Sequence, residues 1–118
     1  MSTSRELDRQ QWQSYFDTFT KKHLRDQLPE DATIQVISPE IGDQEQAEHA
    51  RLEGVTYDPK SNALQILLKN YDHLIYNPEE IRVEEDDHGF LRQMEVRRSD
   101  GTLEVLKFEP VGIQQFEG

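Results

Sequence analysis

The stretch EIRVEEDDHGFLRQMEVRRSDGTLEVLKF, Glu80 to Phe108, carries two turn signals between three runs of alternating apolar residues. His88-Gly89 and Asp100-Gly101 read as two-residue hairpin turns, the second an Asp-Gly pair able to take the positive φ angles such turns need. The first turn then sets Ile81 opposite Val96, Val83 opposite Met94, Arg82 opposite Glu95 and Glu85 opposite Arg92. The second sets Val96 opposite Val105 and Arg97 opposite Glu104. Apolar meets apolar and acid meets base at every pair, each contributing roughly 0.2–1 kcal/mol. A one-residue slip would lose nearly all of them. The segment is therefore expected to be a three-stranded antiparallel meander, with Ile81, Val83, Met94, Val96, Leu103 and Val105 on one face.

That apolar face needs a cover, and the N-terminal segment supplies one. Trp12, Tyr15, Phe16 and Phe19 recur at three- and four-residue spacing, an aromatic stripe on one side of a helix whose other side holds Gln13, Asp17 and Lys21. Asp8 reads as the N-cap, with Gln11 reaching back to it and Leu7 and Trp12 as a hydrophobic staple. Lys21, Lys22, His23 and Arg25 fall in the last turns, where cations suit the helix dipole, and Pro29 ends the helix. A partner-binding helix has the same stripe, but a sheet in need of a cover favours core packing.

Between helix and meander the apolar period changes. Thr33 to Ile37 alternates as a strand stopped by Ser38-Pro39. Gly42 to Leu52 is rich in helix formers but has no apolar stripe; it reads as extended, with loop or helix as alternatives. Val55-Thr56-Tyr57 and Ala63 to Leu68 flank Asp58-Pro59-Lys60-Ser61-Asn62, a hairpin loop with Asn able to take positive φ. Tyr71 to Tyr76 reads as a short helical or looped crossing with Leu74 and Ile75 inward, and Asn77-Pro78-Glu79-Glu80 as a helix start. The expected fold is one α+β domain over residues 1–118. An N-terminal amphipathic helix packs on a curved, mostly antiparallel sheet of six or seven short strands ending in the meander. Residues 1–6 and 110–118 are expected to be loosely held.

The chain has 24 acidic residues against 13 Lys and Arg, a formal charge of −11, and no cysteine. Disulfides, thiolate zinc sites and cysteine nucleophiles are excluded. A field of that sign repels DNA, RNA and anionic lipid, so neither nucleic acid nor membrane is an expected partner. The N-terminus lacks an apolar signal region and no apolar run approaches the ~20 residues that span a bilayer, so a cytoplasmic location is expected.

Tyr71 to Gly89 gathers two histidines and seven acids, yet without HxH, HExxH or an EF-hand spacing. No metal and no cofactor are expected there. Asp72-His73 has the make-up of an acid/base pair, and with Tyr57 and Tyr71 it forms the ligand-binding candidate set; a structural role for His73 is the alternative. Glu84, Asp86 and Asp87 are candidates for an acidic interaction surface, or else a solvated turn. The leading functional expectation is a non-enzymatic accessory or protein-interaction module, monomer or homodimer through an exposed sheet edge. Its rivals are a small-ligand binder or weak enzyme near Asp72 and His73, and an acidic mimic of nucleic acid.

Several blocks in order, Leu7-Asp8-Arg9-x-x-Trp12-x-x-Tyr15-Phe16-Asp17, Gly42-Asp43-Gln44, Gly54 to Lys60, and Asp72-His73-Leu74-Ile75 followed by Pro78-x-x-Ile81, span nearly the whole chain. The pattern resembles a small prokaryotic family of uncharacterised proteins, a domain of unknown function. The resemblance implies no activity, ligand or catalytic residue. It does place Asp72-His73-Leu74-Ile75 among the segments such proteins share, which favours His73 as a candidate.

Overall fold

The meander is present, but both of its turns are one residue longer than the simplest reading. In the first, the Asp86 N–H donates to Phe90 O at 2.9 Å and the Gly89 N–H to Asp86 O at 3.0 Å; in the second, Arg98 N–H donates to Thr102 O at 2.8 Å and Gly101 N–H to Arg98 O at 3.0 Å. Each is a type I turn closed by a glycine at positive φ, +81° for Gly89 and +88° for Gly101, the usual three-residue hairpin loop. In the first hairpin a bulge between Glu84 and Glu85 cancels the extra residue, so Ile81 faces Val96, Arg82 faces Glu95 and Val83 faces Met94 as expected, while Glu85 faces Leu91 instead of Arg92. The second hairpin has no such correction: Val96 faces Glu104 and Arg97 faces Leu103. The last strand is thereby turned over. Glu104, Leu106 and Phe108 point into the core and Leu103 and Val105 stand half-buried on the outside, as a one-residue change must make them.

A computed structural model describes residues 3–26 and 29–111, with the backbone alone for 23–26. The elements are β1 (Thr3–Glu6), a 3-10 turn (Arg9–Gln11), α1 (Trp12–Asp26), β2 (Glu30–Ser38), β3 (Gly42–Asp58), β4 (Ala63–Leu68), β5 (Asp72–Tyr76), β6 (Pro78–Glu85), β7 (Leu91–Arg98) and β8 (Leu103–Pro110). The strands form an eight-stranded sheet in the order β1-β6-β7-β8-β2-β3-β4-β5, more strands than the six or seven expected, and α1 is the one α-helix among the described residues. All neighbours are antiparallel.

Two strands account for the difference. Thr3–Glu6, expected to be loose, pairs with β6 as an edge strand. Asp72–Tyr76 is β5 and not a helical crossing: Leu68 N–H donates to Tyr71 O at 3.0 Å across a tight turn, and the strand runs back along β4. Alternation then leaves Ile75 buried and Leu74 39% exposed, so only one of the two points inward. Asn77-Pro78 starts no helix. Asn77 takes φ +56°, a conformation its short amide tolerates, and β6 begins at the next residue. Of the C-terminal segment, Pro110 closes β8 and residues 112–118 lie outside the described residues.

Gly42 to Leu52 is extended, as preferred, within a 17-residue β3. That strand pairs with β2 through Gly42–Arg51 and with β4 through Leu52–Asp58. Register shifts near His49, at φ +50°, and between Leu52 and Gly54 bend it at the changeover, as bulges do. The sheet coils around one core, and α1 closes the opening. Trp12 and Phe16 are fully buried, Tyr15 and Phe19 partly so. Trp12 packs edge-on to Tyr57 with centroids 5.2 Å apart, and its indole N–H donates to Leu7 O at 3.1 Å. Asp8 is no side-chain cap; only its carbonyl serves, accepting from Gln11 N–H at 2.8 Å.

Replacing Trp12 with Ala should cost about 3–5 kcal/mol in chemical denaturation, the range for buried aromatics. A midpoint that barely moves would mean that the stripe does not hold the helix to the sheet.

Candidate functional site

Between the outer side of α1 and the β6–β7 hairpin lies a groove of about 580 Å³. Its walls follow from the helical period: Tyr15, Thr18, Phe19 and Lys22 lie within two turns on one side of α1, next to the buried stripe. The opposite wall is Glu85 on β6 with Phe90, Leu91 and Arg92, which follow the three-residue loop, and Arg5 from β1 and Glu30 from β2 also line it. The lining is mainly apolar, with Arg5, Lys22, Glu30, Glu85 and Arg92 as its charged members. Lys22 Nζ lies 4.3 Å from the Phe90 ring centroid and Arg92 5.6 Å from it, both within cation–π range.

The polar groups of this groove hold one another. The Tyr15 hydroxyl donates to Glu85 Oε2 at 2.6 Å, and Arg5 Nη2 lies 3.5 Å from Glu85 Oε1. Burial, then the hydrogen bond to Glu85 and its charge, push the Tyr15 phenol well above its ordinary range, with Arg5 opposing weakly. Tyr15 is therefore a donor at any ordinary pH, never a base. Arg92 joins Asp86 Oδ2 at 2.9 Å and Glu30 Oε2 at 3.4 Å. A groove whose acids and phenol are already engaged in this way is equipped to hold a molecule by contact and charge.

The residues singled out in the sequence go elsewhere, and to several places. Tyr57 is buried against Trp12, its hydroxyl donating to Asn62 Oδ1 at 2.8 Å. Tyr71 is exposed and donates to Gln46 O at 3.3 Å. Asp72 is exposed and accepts from Gln65 Nε2 at 2.8 Å. His73, adjacent to Asp72, points to the other face of β5 and shares a 2.7 Å hydrogen bond with Glu104 Oε1. The four do not line one cavity. Of the acidic candidates, Asp86 is taken up by the turn: it accepts from His88 N–H, Phe90 N–H and Arg92. Despite some desolvation, the Phe90 N–H and Arg92 hold its carboxyl below the usual range. Asp87 is exposed beside it and Glu84 half-buried in β6.

The group that sequence reasoning missed is Glu104, whose side chain is 2% exposed. His73 holds one carboxylate oxygen and Arg98 Nη1, at 3.4 Å, the other. Arg98 Nη2 lies 3.5 Å from Asp100, and its Nε is buried without a partner. A buried carboxylate needs such neighbours, since an unpaired one would be far costlier than the pair is favourable. The cluster ties β5 to β7 and β8 across the core. Among the described residues no group of three or more metal-ligating side chains comes together, and no helix is long and apolar enough to cross a membrane.

Residues 3–113 match "Family of unknown function (DUF5335)", and the chain belongs to that family. It is similar to an "Uncharacterized protein" of Aquifex aeolicus (strain VF5), 39% identical over 106 residues that make up 88% of this chain and 90% of the relative. No solved structure matches. The resemblance carried by the sequence blocks is thus a family relationship.

Tyr15 sets a pH test. Its phenol ionises at about 10 in the unfolded chain and higher in the fold, so its contribution to stability is complete below pH 10 and is lost as pH rises above it. The stability difference between wild type and Tyr15→Phe should hold up to about pH 10 and shrink steadily as the pH is raised above it. Parallel pH profiles would mean that Tyr15 does not donate to Glu85.

Proposed function

We propose that this family member is a small-ligand-binding protein whose site is the groove between α1 and the β6–β7 hairpin. The ligand is an aromatic or alkyl molecule carrying one acidic group. The observation that carries the reading is the combination of a mainly apolar groove with Lys22 poised over the Phe90 ring. At about 580 Å³ the groove falls within the roughly 300–1,000 Å³ of ordinary ligand sites. Phe19, Phe90 and Leu91 offer apolar contact, and an acidic group beside Lys22 is attracted locally although the whole chain is negative.

This reading favours ligand binding over the protein-interaction module, since a concave pocket of this size suits a molecule better than a protein surface. In this reading the site is the groove, which neither Asp72 nor His73 lines. A chemical reaction has less support. Glu85 is tied to Tyr15 and Arg5, and Arg92 to Asp86 and Glu30, so neither carries the kind of group that gives and takes protons freely.

The probe is 1-anilinonaphthalene-8-sulfonate, an aromatic anion, followed by fluorescence titration. Binding should saturate at one equivalent, and Phe90→Ala and Lys22→Gln should each weaken it by about tenfold, or ~1.4 kcal/mol. Leu74→Ser, on the far strand β5, should leave it unchanged. Unsaturable binding, or binding indifferent to Phe90 and Lys22, would contradict the proposal.

A further inference from the structure

We propose that two copies of this chain pair through β5, whose free edge joins its counterpart antiparallel about a two-fold axis at Leu74. The sheet has two outer edges, β1 and β5. They are unlike. β1 is four residues long, and its charged side chains face β6 partners: Arg5 lies near Glu85 and Glu6 near Arg82. β5 has neither proline nor lysine nor a bulge, the usual devices that blunt an edge.

The direction of its backbone groups follows from the pairing with β4. Leu68 N–H donates to Tyr71 O and Asn77 N–H to Asn62 O, both at 3.0 Å. Antiparallel pairing alternates, so Tyr71, His73, Ile75 and Asn77 turn their backbone groups toward β4, and Asp72, Leu74 and Tyr76 turn theirs away. Among the described residues no strand lies on that side. The same three residues also expose their side chains on the outer face: Leu74 is 39% and Tyr76 51% exposed. Open backbone bonds in register with exposed apolar side chains fit only another extended strand.

The strand is complementary to itself. With Leu74 on the axis, Leu74 meets Leu74 of the second copy, and Asp72 meets Tyr76, a carboxylate opposite a phenol donor on the same face. Each of these pairs is of the kind that exchanges both backbone bonds. Charge points the same way. In a chain of −11, β5 carries the single carboxylate of Asp72, already held by Gln65 at 2.8 Å. Self-pairing there meets little repulsion, whereas a basic peptide would find almost nothing to recognise. A contact of one short strand is small, so the dimer belongs to the weak class of interfaces.

The chain has no cysteine, which allows a test of register as well as of association. At a backbone-bonded pair the Cα atoms stand about 5.5 Å apart, within disulfide range. Leu74→Cys should therefore cross-link to a covalent dimer under mild oxidation, while Tyr76→Cys, facing Asp72, should not. Sedimentation equilibrium of the wild type should show concentration-dependent dimerisation. Leu74→Lys, which sets like charges on the axis, should remain monomeric with an unchanged melting temperature at low concentration. A wild type that stays monomeric at high concentration would overturn the proposal. So would dimers that persist in Leu74→Lys, or equal cross-linking of the two cysteine variants, since either would mean another surface. Binding of an unrelated extended peptide at β5, with no self-association, would assign the edge to a different partner.

Discussion

The side chain of Thr20 takes the place of a missing strand. From Leu52 onward β3 has left β2 and pairs with β4 alone, so one of its sides faces no strand. The backbone groups exposed there would be expensive to bury without partners. Thr20 meets both of them at Val55: its hydroxyl donates to Val55 O at 2.7 Å and accepts from Val55 N–H at 2.9 Å. Gly54 permits the approach, because a Cβ there would stand 2.9 Å from Thr20 Cγ2. The helix is thereby fixed over the changeover of β3, and its aromatic stripe falls onto the core. Phe19 reaches Phe108 on β8, with ring centroids 6.0 Å apart. The groove exists because the same helix, so placed, holds Tyr15 and Lys22 above the β6–β7 loop.

How much of this was legible in the sequence depends on whether a signal was local. The aromatic stripe of α1 has one period, and of its two readings, core cover or partner-binding face, the fold takes the first: Trp12 and Phe16 are buried against the sheet. The Asp58–Asn62 loop is stated by Pro and Asn, and Asn62 does take φ +51°. β5 was missed because Asp-His-Leu-Ile-Tyr is too short to show a period, and its strand character comes from lying against β4. The Thr20–Val55 contact spans 35 residues and leaves no mark on either segment.

The meander shows the limit more sharply. Both turns contain Gly where a two-residue and a three-residue loop each accept it, and the two choices differ by one residue. In the first hairpin the bulge at Glu84 and Glu85 hid the difference. In the second, Leu103-Glu104-Val105-Leu106-Lys107-Phe108 offers an apolar face in either phase, Leu103 with Val105 or Leu106 with Phe108. Charge matching favoured the first. The fold takes the second because Phe108 meets Phe19, and buries Glu104 as a consequence. His73, on a strand that was not foreseen, then supplies its partner. The candidate site was misread for a related reason: its aromatic residues Tyr15 and Phe19 belong to the stripe, and a stripe does not announce which edge of it stays open.

Amide hydrogen exchange at Val55, in wild type and in Thr20→Val, tests the central claim most directly. The substitution keeps the branched shape and removes the hydroxyl. The Val55 amide should be protected in wild type to the level of the core strands, and its protection should fall by about tenfold or more in the variant, beyond the general loss of stability. A Val55 amide that exchanges freely in wild type, or is equally protected in both, would mean that the helix does not close the edge of β3.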